Sequence, residues 1–514
     1  MAGEGASTAV NAAPARPVAL PGGFRISLDR RTRVTGDGTV LVGGSPVRRL
    51  RLTPAGRALV DRLVAGEPVP ATAAARALAR RLLDAGLAHP RPPALAGPAD
   101  VAVVIPVHDD RDGLAATLAA LAHSGLPAPA EGVAGSGAVL VVDDASPARE
   151  RVGAAGRAGG ATVLRRSACG GPAAARNDGW RATRAGLVAF LDANCEPEPG
   201  WLDALLPHFG DPLVAAVAPR VASAAAPGAR RWLTAYEDVF SPLDLGPREA
   251  NVRPRGPVAY VPTAALVVRR AALEAGGGFD ERLTVGEDVD LVWRLVAAGW
   301  TVRYEPRATV RHPMRPTLRA WLAQRYRYGT SAAALARRHG EAVAPAVVSP
   351  WTAAAWALVV AGAPRAGAAA AVASVAVRAR RAGRDGLPVT EAIRRAASGE
   401  LRGGLALGSA LRRAWAPAAV AAAVVGRRSR PALAAALVVP PLLDWFARRP
   451  RLDPVRFCGL RLADDVAYAA GVWAGCARER SIRALVPALA SPSAAGLRQT
   501  GEPPPPSPSP GGRP

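Results

Sequence analysis

The sequence predicts an α/β protein built around a parallel sheet, and three observations indicate this. Continuous apolar runs such as "VAVVIPV" (101–107) have the length and composition of strands buried on both faces. Segments with helical spacing of apolar residues, such as "DGLAATLAALAHSG" (112–125), separate these runs. Three of four such runs end in acidic residues. Alternating strands and helices are typical of a doubly wound sheet, in which ligands bind at the carboxyl ends of the strands.

The length of 514 residues implies more than one domain, and shifts in composition suggest where the boundaries lie. A Pro-rich stretch, "RPPALAGP" (91–98), precedes the α/β pattern, and the composition shifts again beyond residue 343. We therefore expect a disordered lead (1–22), a small module (23–92), the α/β domain (99–343), a helical region (344–492) and a disordered Pro-rich tail (493–514).

The small module combines short strands with helices. "FRISLD", "RTRVTG" and "TVLVGG" alternate and are broken by Gly and Asp, so they predict three small strands. Thr53 is a candidate N-cap for the helix that follows, and Gly86 and Pro90 end a later helical stretch. This pattern indicates a winged-helix-like module, either a packing domain or a DNA-binding domain.

The charge and the cysteines restrict the functional classes. The net charge is +24, and all 65 basic residues are arginine, a pattern that suggests codon bias and weakens any inference to nucleic acid. The positive charge still favours anionic lipid surfaces and phosphate-bearing substrates. The four cysteines have no CxxC spacing, so neither a structural zinc site nor a disulfide framework is expected. The N-terminus lacks the pattern of a secretory signal.

The α/β region ends its strands in acidic groups. "VLVVDDAS" and "FLDANCEP" are buried runs that lead directly into polar residues, and "GPAAARNDGWRATRA" predicts a helix between them. Carboxylates at strand ends can bind nucleotide base or ribose groups, although Asp and Ser also favour ordinary turns. The pairs concerned are Asp109 with Asp110, Asp143 with Asp144, and Asp192 with Glu196.

A second acidic group begins a helix. In "GEDVDLVWRLVAAGW" (286–300), apolar residues at helical spacing follow Glu287, Asp288 and Asp290, and Gly299 ends the pattern. The helix dipole stabilises acids in a first turn, which explains one or two of them. Three acids within four positions exceed what capping needs, so a general base toward a sugar hydroxyl is a candidate role.

The C-terminal region is rich in alanine and apolar. The 19-residue stretch 345–363 has no charge and is long enough to span a bilayer, whereas 366–377, 414–426 and 431–447 are shorter. We expect one to four membrane-embedded or interfacial helices. An Ala-rich soluble bundle is the alternative.

Six ordered motifs make residues 99–343 resemble family 2 glycosyltransferases, which have the GT-A fold. They are "VAVVIPVHDD", "VLVVDDAS", "GPAAARNDG", "FLDANCEP", "GGFDE" and "GEDVDL". Over the whole chain, the small module, "VAYVPTAALVVRRAAL" and "YGTSAAALARRH" resemble the mycofactocin-system group of that family. This resemblance implies an inverting transfer of sugar, with glucose from UDP-glucose expected and several β-linked units possible, to a peptide-derived redox cofactor precursor. It implies a catalytic domain facing the cytoplasm at the cytoplasmic membrane, with no nucleic-acid partner.

The resemblance also implies roles for individual residues. Asp192 and Asn194 occupy the DxD positions, where Mg²⁺ or Mn²⁺ bridges the donor diphosphate, and Asp288 is the general base, flanked by Glu287 and Asp290. Arg176 meets a phosphate or a neighbouring aspartate. The uridine of the UDP-sugar is expected at Pro106, Asp109, Asp110, Asp143 and Asp144.

Two expectations are weaker extensions of the family pattern. His312, at a strand end, completes the metal shell or is structural. "QRYRY" (324–328) resembles a QxxRW processivity motif through Gln324, Arg327 and Tyr328, with tyrosine in place of tryptophan. Asn194 departs from the pattern because its amide lacks a carboxylate's charge. Two alternatives stay open: a rhamnosyl- or galactofuranosyl-type transferase acting on envelope glycolipid, and a non-catalytic nucleotide-sugar-binding scaffold.

Overall fold

The structure is a computed structural model that describes residues 19–35, 38–95, 100–126, 137–384 and 389–489. The described residues form two compact units, residues 19–93 and the chain from residue 94 onward. The expected disordered tail (493–514) and all but residues 19–22 of the expected disordered lead lie outside the described residues.

The first unit contains five short strands and two helices. Thr53 caps the first helix by accepting a hydrogen bond from Gly56 N at 3.1 Å, as the sequence predicts, and Thr72 caps the second in the same way. Strands β2, β3 and β4 form an antiparallel sheet, and β1 pairs antiparallel with β5. The elements are β1 (Arg25–Leu28), β2 (Arg33–Thr35), β3 (Val40–Gly43), β4 (Arg48–Arg51), α1 (Pro54–Val64), α2 (Ala73–Asp84) and β5 (Ala88–Arg91).

The second unit begins with an α/β region around one nine-stranded sheet. Its strands are β6 (Val101–Val107), β7 (Val139–Asp143), β8 (Thr162–Arg165), β9 (Leu187–Leu191), β10 (Glu196–Pro197), β11 (Val214–Ala224), β12 (Ala250–Asn251), β13 (Ala265–Arg269) and β14 (Thr301–Pro313). Its α-helices are α3 (Arg111–His123), α4 (Arg149–Ala158), α5 (Gly171–Ala182), α6 (Trp201–Leu205), α7 (Arg231–Phe240), α8 (Arg270–Gly276), α9 (Glu287–Ala297) and α10 (Leu318–His339).

The sheet is mixed rather than wholly parallel, which corrects one expectation. The strand order is β10-β14-β11-β13-β9-β6-β7-β8, and the half from β9 to β8 is parallel, as the apolar runs predict. Strand β13 lies between β9 and β11 and runs antiparallel to both. Because β13 is reversed, its first residues lie beside the carboxyl end of β9, where Asp192 N donates to Ala264 O at 3.0 Å. The reversal therefore brings the loop before β13 to the edge where ligands bind in such sheets.

Apolar clusters cover both faces of this sheet. One contains Ile105, Val141 and Leu191 with α3 and α6, and the other contains Val104, Phe190 and Leu291 with α5 and α9. Since successive strand residues point to opposite faces, the continuous apolar runs supply both clusters at once.

The remaining chain forms helices that belong to the same unit. Helix α16 lies along α10, and the short strands β15 and β16 pair in parallel. The elements are β15 (Val347–Val348), α11 (Pro350–Val360), α12 (Pro364–Arg384), α13 (Val389–Arg413), α14 (Ala416–Val425), α15 (Arg430–Arg448), α16 (Pro454–Arg478) and β16 (Ala488–Leu489). The expected domain boundary at residue 343 stays a prediction.

The stretch 345–363, which length alone allows to span a bilayer, does not form one long helix. It contains β15 and the 11-residue helix α11, because Ser349 caps the helix just before Pro350 and Gly362 follows its end with φ +86°. Among the described residues, only α15 is long and apolar enough to be a candidate membrane span, and length and composition are the sole basis for that.

Candidate active site

The loops after β6 and β7 are held together at the carboxyl edge of the sheet. His108 Nδ1 lies 2.8 Å from Asp144 O, and Asp109 N donates to Ser146 Oγ at 2.9 Å. Asp109 and Ala145 have φ of 53° and 55°, a conformation that is uncommon for residues with a side chain. Such conformations cluster at functional sites, so this edge is the first candidate for one.

Asp143 and Asp144 are buried and already bonded. Asp143 accepts from Ser146 N at 2.9 Å and pairs with Arg165. Asp144 accepts from Gly170 N and Gly171 N, at 2.9 and 2.7 Å, and pairs with Arg166. Burial alone would raise the pKa of Asp144, but the hydrogen bond from Gly170 N and that from Arg166 lower it, so Asp144 is ionised. The Asp144 carboxylate fixes the loop before α5, whereas the Asp143 carboxylate joins its own loop to the end of β8. Contact of either carboxylate with a nucleotide stays a prediction.

The remaining members of the expected uridine site differ in their surroundings. Pro106 is half-buried in β6, and Asp109 is exposed beyond its end. Asp110 caps α3 by accepting from Gly113 N at 3.0 Å, which is the turn chemistry that the sequence left open. The exposed Asp109 is thus the member of this pair whose carboxylate faces solvent.

A buried arginine joins the two acidic groups that the sequence singled out. Arg176 donates to Asp192 Oδ1 and to Glu287 Oε1, both at 2.8 Å. The Arg176 side chain is 4% exposed. Burial opposes its charge, but Asp192 and Glu287 raise the pKa of Arg176 above its usual value. The guanidinium of Arg176 therefore joins the end of β9 to the start of α9. Asp192 is one of the partners that the sequence allowed for Arg176, the other being a phosphate.

Asp288 has the properties of a general base. It is half-buried at the start of α9 and accepts hydrogen bonds from the backbone N–H groups of Val289 and Thr263. Burial, followed by the neighbouring charge of Glu287, raises the pKa of Asp288 to about 7. A carboxylate with a pKa near neutrality accepts a proton readily and is still partly ionised at cellular pH.

Asp290 differs from its neighbours on α9. Its carboxylate is 1% exposed and bonds to Arg294 at 2.7 Å, to His339 at 2.9 Å and to Arg338 at 3.3 Å. Burial would raise the pKa of Asp290, but His339 and Arg294 lower it. His339 and Arg338 tie Asp290, and with it α9, to α10, and a catalytic role for Asp290 stays a prediction.

The DxD positions lie in a tight turn after β9. Cys195 N donates to Asp192 O at 3.0 Å, which closes a four-residue turn with Asn194 in its third position. Asn is common in turns, which is a local reason for an amide here. Glu196 begins the edge strand β10, opposite Arg311, and is exposed. Glu196 therefore belongs to the edge strand rather than to the turn that contains Asp192 and Asn194.

Three side chains at this turn suit a hard divalent cation. Asp192 is 30% exposed, with Oδ1 on Arg176, and the half-buried Asn194 makes no side-chain hydrogen bond among the described residues. His312, at the end of β14, lies close enough to Asp192 for their charges to interact. Burial lowers the pKa of His312, which keeps the ring in its neutral, ligating form. The donor set of carboxylate, amide and imidazole fits Mg²⁺ or Mn²⁺.

The QxxRW-like residues divide between a cavity and the surface. Gln324 and Tyr328 line a small cavity together with His312 and Ser223, and Arg327 is exposed on α10. The buried arginine of this segment is Arg325, which pairs with Glu237 and Asp464. The cavity brings two of the three motif residues beside His312.

Two residues near the site, Tyr260 and Cys169, have no role that the sequence indicates. The hydroxyl of Tyr260 donates to Pro242 O at 2.9 Å, and its ring lies near Asp288, whose charge adds to burial in raising the pKa of Tyr260. Cys169 lies with His108 and Asp144 in a group whose ligand atoms are within 4.8 Å of one another. The sequence indicates no role for Tyr260 or Cys169, because loops far apart in the sequence bring each of them to its partners.

Known proteins resemble this chain over most of its length. Residues 187–379 match a family model described as glycosyl transferase family group 2. The pre-mycofactocin glycosyltransferase of Mycobacterium tuberculosis is 43% identical over 484 residues, which cover 91% of this chain and 98% of that protein. An N-acetylglucosaminyl-diphospho-decaprenol L-rhamnosyltransferase of the same organism is 41% identical over 83 residues, 16% of this chain and 24% of that protein.

Among solved structures, a mannosyltransferase from Pyrobaculum calidifontis, in complex with GDP-Man and Mn²⁺, is 19% identical with a TM-score of 0.36. The match covers 60% of this chain and 87% of that one, a similarity too remote to carry a conclusion.

An α/β sheet with paired acidic groups at its carboxyl edge is the arrangement of an α/β protein that binds a polar ligand at the ends of its strands. The chain belongs to the family 2 glycosyltransferases. The resemblance drawn from the ordered motifs is thereby confirmed, and so is the α/β fold class.

Proposed function

We propose that the chain is an inverting glycosyltransferase that moves glucose from UDP-glucose to a peptide-derived mycofactocin precursor, adding one or more β-linked units. The similarity to the pre-mycofactocin glycosyltransferase over 98% of that protein supports the acceptor class. The observation that carries the activity is the bridge from Asp192 through Arg176 to Glu287, because it joins the proposed donor side to the residue beside Asp288.

The proposed chemistry is a single displacement. The acceptor oxygen attacks the anomeric carbon from the face opposite the diphosphate, the bond from that carbon to the phosphate oxygen breaks, and UDP leaves. Asp288 takes the proton from the acceptor hydroxyl, and no covalent intermediate with the protein is needed. Arg176 holds Asp192 in place, and the exposed Asp109, whose backbone N–H is held by Ser146, is the proposed partner of the uridine. Asp192, Asn194 and His312 would hold Mg²⁺ or Mn²⁺, which would supply positive charge to the leaving diphosphate.

Membrane location and acceptor handling complete the proposal. We propose a cytoplasmic membrane location with the catalytic domain on the cytoplasmic side, and that the first unit holds the peptide-derived acceptor. Deleting residues 1–92 is then expected to weaken acceptor use and to spare UDP-sugar hydrolysis. Equal loss of both would count against a role in acceptor binding.

The decisive test is product mass after incubation with mixed UDP-, GDP- and dTDP-sugars and the reduced peptide-derived acceptor. We expect one hexose or more to be added from UDP-glucose. The partial similarity to a rhamnosyltransferase favours one competing candidate, a transferase of envelope glycolipid, and turnover of dTDP-rhamnose on a lipid acceptor would support that candidate instead. If the wild type and Asp288→Asn both bind UDP-glucose yet are equally inactive, a non-catalytic scaffold gains support.

A further inference from the structure

Three C-terminal helices leave apolar side chains uncovered. None of the ten residues of α14 is buried, and Val424 and Val425 at its end are 70% and 88% exposed. Helix α15 exposes Val439 and Phe446, and only 11% of its most apolar window is buried. Trp351 at the start of α11 is 58% exposed. Soluble proteins rarely expose large apolar patches, and such patches mark sites of interaction with proteins or membranes.

Helices α11 and α14 are too short to cross a bilayer, and α15 is too firmly attached to the protein to do so. Helices of 11 and 10 residues, α11 and α14, are roughly 16 Å and 15 Å long at a rise of about 1.5 Å per residue. The hydrocarbon core is about 30 Å thick. Helix α15 has 19 residues, but Pro440 and Pro441 lie inside it.

The end of α15 is fixed to the α/β region. Arg448 donates to Val239 O in α7, and its guanidinium lies 4.6 Å from the centre of the Phe240 ring. Leu433 and Pro441 on the same helix are buried. Because α15 is held against the protein at its beginning, middle and end, it lies along the molecular surface.

Positive charge accompanies the apolar surface. The turn between α14 and α15 carries the exposed residues Arg427, Arg428 and Arg430. The turn after α11 touches it, since a Cβ on Gly362 would lie 2.7 Å from Arg428 Cβ. Residues 350–384 and 416–443 contain no Asp or Glu, and the one acid of α15, Asp444, is half-buried and pairs with Arg461. An apolar surface bordered by arginine complements an anionic lipid surface.

We propose that α11, α14 and α15 insert their apolar side chains into one leaflet of an anionic lipid bilayer without crossing it, with the arginines of the α14–α15 turn at the headgroups. This sharpens the proposed membrane location and is independent of which sugar the enzyme transfers. Each side chain of the surface then has a partner: lipid tails for the valines and aromatic rings, and lipid phosphates for the guanidinium groups.

The first experiment measures co-sedimentation of the full-length protein with phosphatidylcholine vesicles, with and without phosphatidylglycerol. We expect binding to the anionic vesicles only, weakened by salt. Val424→Glu/Val425→Glu and Arg427→Glu/Arg428→Glu should each reduce the affinity on the order of tenfold or more. The matched control is Val34→Glu, in the first unit and 53% exposed, which should bind as the wild type does. Unchanged binding by both double variants, with circular dichroism showing that they fold, overturns the proposal.

The second experiment separates insertion from spanning and from self-association. On a background with Cys169 and Cys458 changed to Ser, Arg428→Cys and Pro450→Cys are placed at the two ends of α15. Both thiols should react with a membrane-impermeant reagent added outside sealed phosphatidylglycerol-containing vesicles. Protection of either thiol indicates a spanning helix. A stable dimer without lipid, dissociated by Val424→Glu/Val425→Glu, indicates a second copy as the occupant. UDP-sugar hydrolysis in solution should be unchanged in Val424→Glu/Val425→Glu and in Arg427→Glu/Arg428→Glu, so loss of lipid binding and failure of the proposed enzyme activity are distinguishable.

Discussion

At the scale of single residues, Asp288 sets the expected pH dependence. Burial and the charge of Glu287 raise the pKa of Asp288 to about 7, so the carboxylate is protonated below that pH. Since only the ionised form accepts a proton, we expect kcat/KM for the acceptor to rise with pH and to level off above about 7. Asp288→Asn should lower kcat/KM by roughly 10²- to 10⁴-fold and abolish this rise. The check is a pH–rate profile for both proteins. A wild-type rate that is flat from pH 5 to pH 8 would rule out the assigned base.

Asn194 supports a separate prediction about metal affinity. Its amide oxygen can bind a hard cation, but it lacks the charge that a carboxylate adds. Asn194→Asp should therefore lower the Mn²⁺ concentration that gives half-maximal activity. The Mn²⁺-binding curve, measured by paramagnetic relaxation of water protons, should shift to lower concentration in parallel. Glu196→Gln, on the exposed edge strand, is the matched control and should leave both curves in place. Identical curves for Asn194→Asp and wild type would exclude residue 194 as a ligand.

At the scale of elements, glycines allow α10 and α16 to pack closely. A Cβ on Gly471 would lie 2.0 Å from Tyr326 O, and one on Gly329 would lie 2.1 Å from Tyr468 O. These neighbours are backbone atoms of helices, which cannot rotate away as a side chain can. Helix α10 also touches the start of α9, where a Cβ on Gly286 would lie 3.0 Å from Ser331 Cβ. The close crossing therefore fixes the position of α10, which packs against the start of α9 beside Asp288.

We predict that Gly471→Ala destabilises the second unit by about 1–3 kcal/mol, because the helices must separate to admit the methyl group. The control lies on the same helix: a Cβ on Gly459 meets nothing within 4 Å. Gly459→Ala should stabilise the protein by up to about 1 kcal/mol through helix propensity. Urea unfolding followed by tryptophan fluorescence measures both. Equal shifts for the two variants would contradict the packing argument.

At the scale of the whole molecule, the sequence predicted what depends on local pattern and missed what depends on distant contacts. The apolar runs predicted β6, β7 and β9, and the acids at 287–290 predicted the start of α9, because burial on two faces and helix capping leave periodic traces. The reversal of β13 has no such trace, since a strand looks alike in either direction. The bridge through Arg176 and the buried role of Arg325 depend on residues more than 80 positions away. Among 65 arginines, a motif singled out Arg176 but not its link to Glu287, and nothing in the sequence singled out Arg325.

The last prediction concerns the charge cluster that holds the C-terminal helices together. Asp465 on α16 is fully buried and bonds to Arg412 at 2.7 Å, to Arg413 at 2.9 Å and to Arg461. Burial would raise the pKa of Asp465, but Arg461 and Arg413 lower it, so the carboxylate stabilises the fold at neutral pH and this contribution is lost as the pH falls.

Asp465→Asn removes the charge and leaves the buried Arg412 without an acidic partner, while Arg413 and Arg461 keep only Asp464 and Asp444. We expect a loss of roughly 3–5 kcal/mol in the free energy of unfolding at pH 7, and a smaller difference from wild type in acid. The control is Glu479→Gln, which breaks the exposed pair with Arg337 and should cost less than about 1 kcal/mol. Calorimetry across pH measures both variants. A loss at Asp465 no larger than that at Glu479 would mean that helix packing, rather than this ion cluster, joins α13 to α16.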